Sequence, residues 1–242
     1  MSLLENVLKK VVLDQATIIK KEQLSAFVYK VRLKGDSIKK AEFIPGYFLR
    51  LGVGIGQEDL DFKDKVRSYS VWNINKEEGW LDLAIATESN GVGANWVMNC
   101  NLGDLVYYKW KKGNFLLDNS ADNYLMIGDL SALSHLYVIN RNLPKNKSVE
   151  SVIYSNNASN LFNDIDNTQP LSFYEFQEHP SEEIKIIVKE KLSKFNGSII
   201  IYISGDSRVC VNLNQYLKKV LGYSPKQLKI NPFWNPLKKG LE

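Results

Sequence analysis

A change of rhythm near the midpoint constrains this chain more than any single motif. The first half is a series of short strand-like runs punctuated by turns. ATIIKKEQLSAFVYKVRLKG holds two short β runs around a polar turn, and AEFIPGYFLRLGVG is broken at Pro45-Gly46. VRSYSVWNINKEEGWLDLAIAT has the form of a hairpin turning at NKEEG, and GDLVYYKWKKGNFLL is another strand. Runs of this kind predict an antiparallel β-barrel or sandwich.

The second half alternates. NYLMIGD is an apolar strand ending in Gly128-Asp129, followed by a helix in LSALSHLYVINRNL. SVIYS and LSFYEFQ are strands. EEIKIIVKEKLSKF is helical, with Ile184, Ile187, Val188 and Leu192 on one face. GSIIIYISGD is the β-branched run of a buried parallel strand. VNLNQYLKKVLG is a helix closing on Gly222, and QLKINPFW is the last strand. Strands alternating with helices predict a parallel-sheet α/β domain. Polar turn residues cluster in LLDNSADN, which divides a β domain at 1–118 from an α/β domain at 119–242.

Composition excludes several classes. With 44% hydrophobic and 24% charged residues over 242 positions, the chain is globular and long enough to bury cores without staples. Cys100 and Cys210 are too far apart for a metal motif or a disulfide framework, so a reducing compartment is expected. MSLLENVLKKVVLD is not a signal peptide, because Glu5, Lys9 and Lys10 interrupt it; Leu4, Val7, Leu8 and Val11 instead share one face of a short helix. No apolar run spans a membrane, so a cytoplasmic protein, by default a monomer, is expected. A net charge of +4 suits an anionic ligand but is too weak and dispersed for nucleic acid.

Several short stretches bear on chemistry. In VRSYSVWNI, Arg67 and Tyr69 lie on one face of a strand. A guanidinium offers a fork for phosphate, and a tyrosine ring a flat face for a heterocycle. A flavin nucleotide needs both, with Ser68 and Ser70 nearby and Ser70, most simply through its backbone, at the ring edge. A surface arginine packed beside a tyrosine has the same spacing. In ESNGVGANW, Gly91 and Gly93 precede an apolar segment that opens a short helix, where backbone N–H groups approach a pyrophosphate; a plain strand-to-helix turn reads identically. Gly128-Asp129 with Ser131 and Ala132, and Gly205-Asp206, each end a strand where nucleotides lie in open α/β sheets, or else are structural turns. His135 and His179 read as packing or solvent-facing residues, and Cys210 as core. No metal site belonging to the protein is expected.

These motifs, in this order, resemble the ferredoxin reductase-like superfamily and, more closely, its FAD-binding, siderophore-interacting branch. GDLSALS at 128–134 is similar to that branch's GDETALP turn, Gly205-Asp206 to its GE, and FWNPLKKG at 233–240 to its YWR-x-G segment. The chain departs from the pattern at Ala94, where serine or threonine is frequent, and at Leu130, Ser134 and Asn235.

The resemblance implies a FAD-binding β-barrel followed by a nicotinamide-nucleotide domain, with NADH or NADPH reducing a ferric siderophore or other small ferric chelate to release iron. It places FAD on Arg67, Ser68, Tyr69, Ser70, Gly91, Val92, Gly93, Ala94, Asn95 and Trp96, with Tyr69 and Ser70 at the reactive edge. The nicotinamide nucleotide falls to Gly128, Asp129, Ser131, Ala132, Gly205 and Asp206. Lys109, Lys111, Lys112, Lys238 and Lys239 are candidates to attract an anionic chelate, and Arg141, Lys145, Lys147 and Arg208 to hold a 2′-phosphate. Ferredoxin, flavodoxin or free flavin as acceptor, or a non-catalytic binding protein on the same fold, remain alternatives.

Overall fold

A computed structural model describes residues 13–55, 60, 62–89, 91–167, 169–177 and 180–237. The expected N-terminal helix, His179, Lys238 and Lys239 lie outside the described residues. The chain packs as two compact units, the first ending at Asn114 and the second beginning at Phe115. Leu116 and Asp118 are tied to the second unit, since the Tyr202 hydroxyl donates to Leu116 O at 3.0 Å and accepts from Asp118 N at 2.8 Å. That unit therefore begins slightly before the 118/119 division.

The first unit is built from β1 (Asp14–Ser25), β2 (Val28–Lys34), a helical turn α1 (Asp36–Lys39), β3 (Phe48–Gly52), β4 (Val66–Ser70), β5 (Asn73–Asn75), β6 (Trp80–Ala86), α2 (Val92–Asn99) and β7 (Leu105–Lys111). The strands form one antiparallel sheet in the order β4-β3-β7-β1-β2-β6-β5. Strands β4 and β5 stand at opposite ends of that order, yet only Val71 and Trp72 separate them. Two residues reach about 7 Å, so the sheet must roll until its ends meet, as a barrel does. Val71 N donates to Tyr47 O (3.1 Å) and Trp72 N to Asp82 O (2.9 Å), which carries hydrogen bonding across the join. Val31, Leu33, Leu49, Leu51, Leu81, Leu83 and Val97 fill the interior.

Local expectations shift in two places. Lys20 to Gln23 are not a turn: they stay in β1, where Glu22 ion-pairs with Lys20 at 3.0 Å and with Lys30, its opposite number on β2, at 2.6 Å. The turn falls at Ala26-Phe27. Helix α2 begins at Val92 with Gly91 as its N-cap, so Gly93 lies inside the first turn instead of before the helix. The NKEEG turn forms as expected, closed by Gly79 N to Asn75 O at 2.9 Å with Gly79 at φ +72°.

The second unit contains β8 (Asn123–Asp129), α3 (Leu133–Arg141), β9 (Ser148–Ser155), β10 (Phe173–Glu175), α4 (Ser181–Leu192), β11 (Ile199–Asp206), α5 (Ser207–Lys219) and β12 (Leu228–Trp234). All neighbours are parallel, in the order β10-β9-β8-β11-β12. Every residue of β8 and β11 is buried, as expected of central strands covered on both faces. Helix α5 starts at Ser207, ahead of the expected VNLNQ, because the Asp206 side chain caps it. The β9–β10 connection carries only a 3₁₀ turn, Ala158–Asn160, among the described residues. The chain runs outward from β8 through β9 to β10 and then returns across β8 to β11. The order therefore reverses between β8 and β11, the topological position at whose carboxyl ends ligands bind in open α/β sheets. Among the described residues no helix is long and apolar enough to cross a membrane.

Candidate functional site

Arg67 and Tyr69 lie opposite Leu51 and Leu49 of β3, so all four share a sheet face. Both approach the first turn of α2. A Cβ built on Gly93 would overlap the Tyr69 hydroxyl, and would lie 3.3 Å from Tyr69 Cζ and 3.6 Å from Arg67 Cγ. Glycine is therefore what lets the helix sit against this strand.

The two ends of α2 are treated differently. At its C-terminus, Lys21 Nζ donates to Met98 O (2.8 Å) and Cys100 O (3.0 Å). Its N-terminus has no side-chain cap and no acidic residue in the first turn. Those N–H groups, at the positive end of the helix dipole, are suited to an anion. Arg67 is oriented by its own loop: Nη1 donates to Val66 O at 2.7 Å and Asp64 O at 3.2 Å, and Nη2 reaches Asp64 Oδ1 at 3.4 Å. A guanidinium and an uncapped helix N-terminus, meeting over a glycine, are a fitting donor set for a pyrophosphate, and the half-buried Tyr69 ring fits a planar heterocycle beside it.

The other predicted residues separate. Ser68 and Ser70 point to the opposite face, in line with Arg50–Lys109 and Phe48–Lys111. Ser70 is buried. Lys109 and Lys111 thus share a face with Ser68 and Ser70, not with Arg67 and Tyr69, while Lys112 is exposed just beyond β7. Ala94 is buried, Asn95 exposed, and Trp96 packs on the barrel core.

In the second unit, the carboxyl ends of β8, β11 and β12 converge on Asp129. Its Oδ1 accepts from Ser131 N (2.9 Å) and Ser131 Oγ (2.6 Å), and its Oδ2 from Asp206 N (2.7 Å) and Trp234 Nε1 (2.8 Å). Burial pushes the Asp129 carboxyl upward, opposed by these donors. The oxygens are so fully taken by the protein that Asp129 holds the turn in shape rather than offering itself to a ligand. Gly128 packs under Ala132 and Leu136; a Cβ there would lie 3.0 Å from Ala132 Cβ and 2.8 Å from Leu136 Cδ1. Asp206 caps α5 and also binds Arg208, whose Nη2 lies 2.6 Å from Oδ2. Asn235 Nδ2 donates to Ser207 Oγ at 2.6 Å.

Trp234, which the sequence offers with Phe233 either as a shield over a cofactor site or as packing for the last strand, reaches Asp129 across 105 positions. Two further residues escape a sequence reading. The Tyr154 hydroxyl, on β9 opposite Asp129, is buried without a hydrogen-bond partner among the described residues. Glu175 ends β10 beside Ser155. His135 is buried, with Nε2 2.8 Å from Phe115 O, and burial pushes it down to about 4. Cys210 is a buried free thiol pushed up to about 12 by burial. Among the described residues no cluster of His, Cys, Asp and Glu is arranged to hold a metal.

Residues 15–116 match the oxidoreductase FAD-binding domain family, and residues 121–236 match the siderophore-interacting protein family. The fold is similar to that of the siderophore-interacting protein from Acinetobacter baumannii, with a TM-score of 0.77 and 17% identity over 94% of this chain and 92% of that one. It is also similar to the ferredoxin-NADP+ reductase of Plasmodium falciparum, with a TM-score of 0.70 and 17% identity over 91% and 96% of the two chains. Among curated relatives, NADH-cytochrome b5 reductase 1 of Candida albicans is 25% identical over 190 residues, covering 75% of this chain and 65% of that protein. The chain thus spans just under two thirds of that relative's length. The first unit thus matches an oxidoreductase FAD-binding domain and the second a siderophore-interacting protein domain, on a fold shared with these solved structures.

Proposed function

We propose that the protein uses NADH or NADPH to reduce a ferric siderophore or similar small ferric chelate, releasing iron in the cytoplasm. The observation that carries this reading is the siderophore-interacting protein match over 121–236, supported by a first unit in which Arg67 and Tyr69 approach Gly93 at the start of α2. FAD, when bound, accepts a hydride and returns electrons singly, which couples a two-electron donor to ferric iron.

The chain's own residues bind and orient. Arg67 and the first turn of α2 hold the pyrophosphate, Tyr69 packs on the ring system, and Ser70, whose side chain is buried on the other face, meets the reactive edge through its backbone. The Asp129–Trp234–Asp206 network shapes the nucleotide turn of the second unit. Hydride transfer needs no protein base, which suits a site whose nearby histidine, His135, is buried and neutral. Lys112, exposed just beyond β7, raises the local concentration of an anionic chelate, while Lys109 and Lys111 lie on the sheet face opposite Arg67 and Tyr69. Ferrous iron is less charged than ferric and is held less tightly by hard oxygen ligands, so reduction loosens the complex.

The curated relatives favour a second reading, a cytochrome b5-type acceptor. One anaerobic experiment separates the two. FAD-loaded protein is bleached with NADH or NADPH, then mixed with a ferric siderophore or with cytochrome b5. Return of the oxidised flavin spectrum on adding the siderophore, faster than with cytochrome b5, is the expected result. Reoxidation by cytochrome b5 alone would overturn the proposal.

A further inference from the structure

We propose that the chain selects NADH over NADPH, and that Glu175 sets this preference by facing the 2′ position of the adenosine ribose. The inference rests on the second unit binding a nicotinamide nucleotide. In a βαβ unit, the nucleotide lies across the carboxyl ends of the strands, and the ribose meets the end of the second strand. Here the unit is β8–α3–β9, so the ribose meets the residues that follow Ser155.

That edge is polar and acidic. Ser155, Asn156, Asn157 and Ser159 supply uncharged groups, and Asn157 Oδ1 locks the turn by accepting from Ser159 N at 2.9 Å and Ser159 Oγ at 2.7 Å. Glu175 stands beside Ser155 in the parallel register. Its Oε2 accepts from Ala158 N at 3.1 Å, which anchors the carboxylate against the same turn. Its other oxygen can accept from a ribose hydroxyl. A 2′-phosphate would instead bring a second anion to a carboxylate, with no uncommitted cation beside it among the described residues. Helix α4 starts from the same edge and adds Glu182 and Glu183 in its first turn.

Among the described residues, the cations that could hold a 2′-phosphate are elsewhere or engaged. Arg141 ends α3, which returns to the amino edge of the sheet, and there it pairs with Asp164. Lys145 and Lys147 precede β9 on that same edge, with Lys147 4.0 Å from Asp122. Strand β9 has eight residues, so the two edges are roughly 25 Å apart. At the carboxyl edge, Arg208 is committed to Asp206 by side-chain bonds of 2.6–3.1 Å. Lys185 is bonded to Glu182 at 2.7 Å and faces the Tyr216 ring.

The test is calorimetric titration of the FAD-loaded protein with ADP-ribose and with its 2′-phosphate, neither of which can react. ADP-ribose should bind at least tenfold more tightly, and the ratio should shrink as salt is raised, since its origin is charge repulsion. Glu175→Gln keeps an oxygen for Ala158 N–H and should cut the ratio severalfold. Equal or tighter binding of the 2′-phosphate, a ratio indifferent to salt, or a folded Glu175→Gln that discriminates like the parent would each overturn the assignment. Binding of neither analogue would instead sink the nucleotide-site reading, and this inference with it.

Discussion

His135 and Arg67 show how differently single residues declare themselves. Arg67 and Tyr69 were legible because strand periodicity is a local property: positions two apart share a face wherever the strand sits. The role of Gly93 was not legible. It depends on contact with Tyr69, 24 positions away, and no local pattern encodes that approach. His135 was readable as a packing residue, but its bond to Phe115 O and its suppressed basicity follow from burial that only the fold supplies. Its neutral form is held down to about pH 4 in the folded chain, whereas the unfolded chain takes up the proton near about 6.5. The stability this provides is therefore complete above pH 6.5 and lost as the pH falls toward 4, on the order of 3 kcal/mol in all. Urea unfolding midpoints at pH 4.5 and 7 should show this loss. His135→Gln, which can still donate to Phe115 O, should flatten it; an unchanged slope would place the titration in another group.

At the scale of elements, strand and helix types were readable wherever a period ran long enough. The β-branched run of β11 and the apolar face of α4 are examples. Boundaries were less so. The early start of α5 had an available signal, since Asp206 is an N-cap residue type standing just before the helix. The course of β1 through Lys20–Gln23 had none, because the ion pair from Glu22 to Lys30 exists only once β2 is alongside. Gly205, the penultimate residue of β11, has φ +112°, where a side chain is strained, and a Cβ there would lie 2.5 Å from Asp129 Cγ. Gly205→Ala should therefore cost about 3 kcal/mol or more and weaken binding of nicotinamide nucleotides by displacing Asp129 from its donors. Chemical denaturation followed through tryptophan fluorescence checks the first effect, and nucleotide titration the second. A loss below about 1 kcal/mol would show that the turn relaxes without strain.

Across the whole molecule, each unit has its own core, and FAD is assigned to residues of the first. Ligand binding to the folded form alone stabilises by mass action, about 2.7 kcal/mol at a hundred times Kd. FAD should raise the melting temperature of the transition that includes the barrel by roughly 10 °C, and Arg67→Ala should lose both the shift and the bound flavin. A variant keeping full FAD occupancy would refute Arg67 as the pyrophosphate residue. The sequence by itself determined the succession of elements, a β half followed by an alternating half, because strand and helix periods are written in neighbouring residues. The tertiary structure alone decided that the barrel closes through Val71 and Trp72, that Trp234 and Asp206 converge on Asp129, and that Glu175 comes to lie beside Ser155. Those are contacts between distant segments, set by sheet order and register, which no run of neighbouring residues specifies.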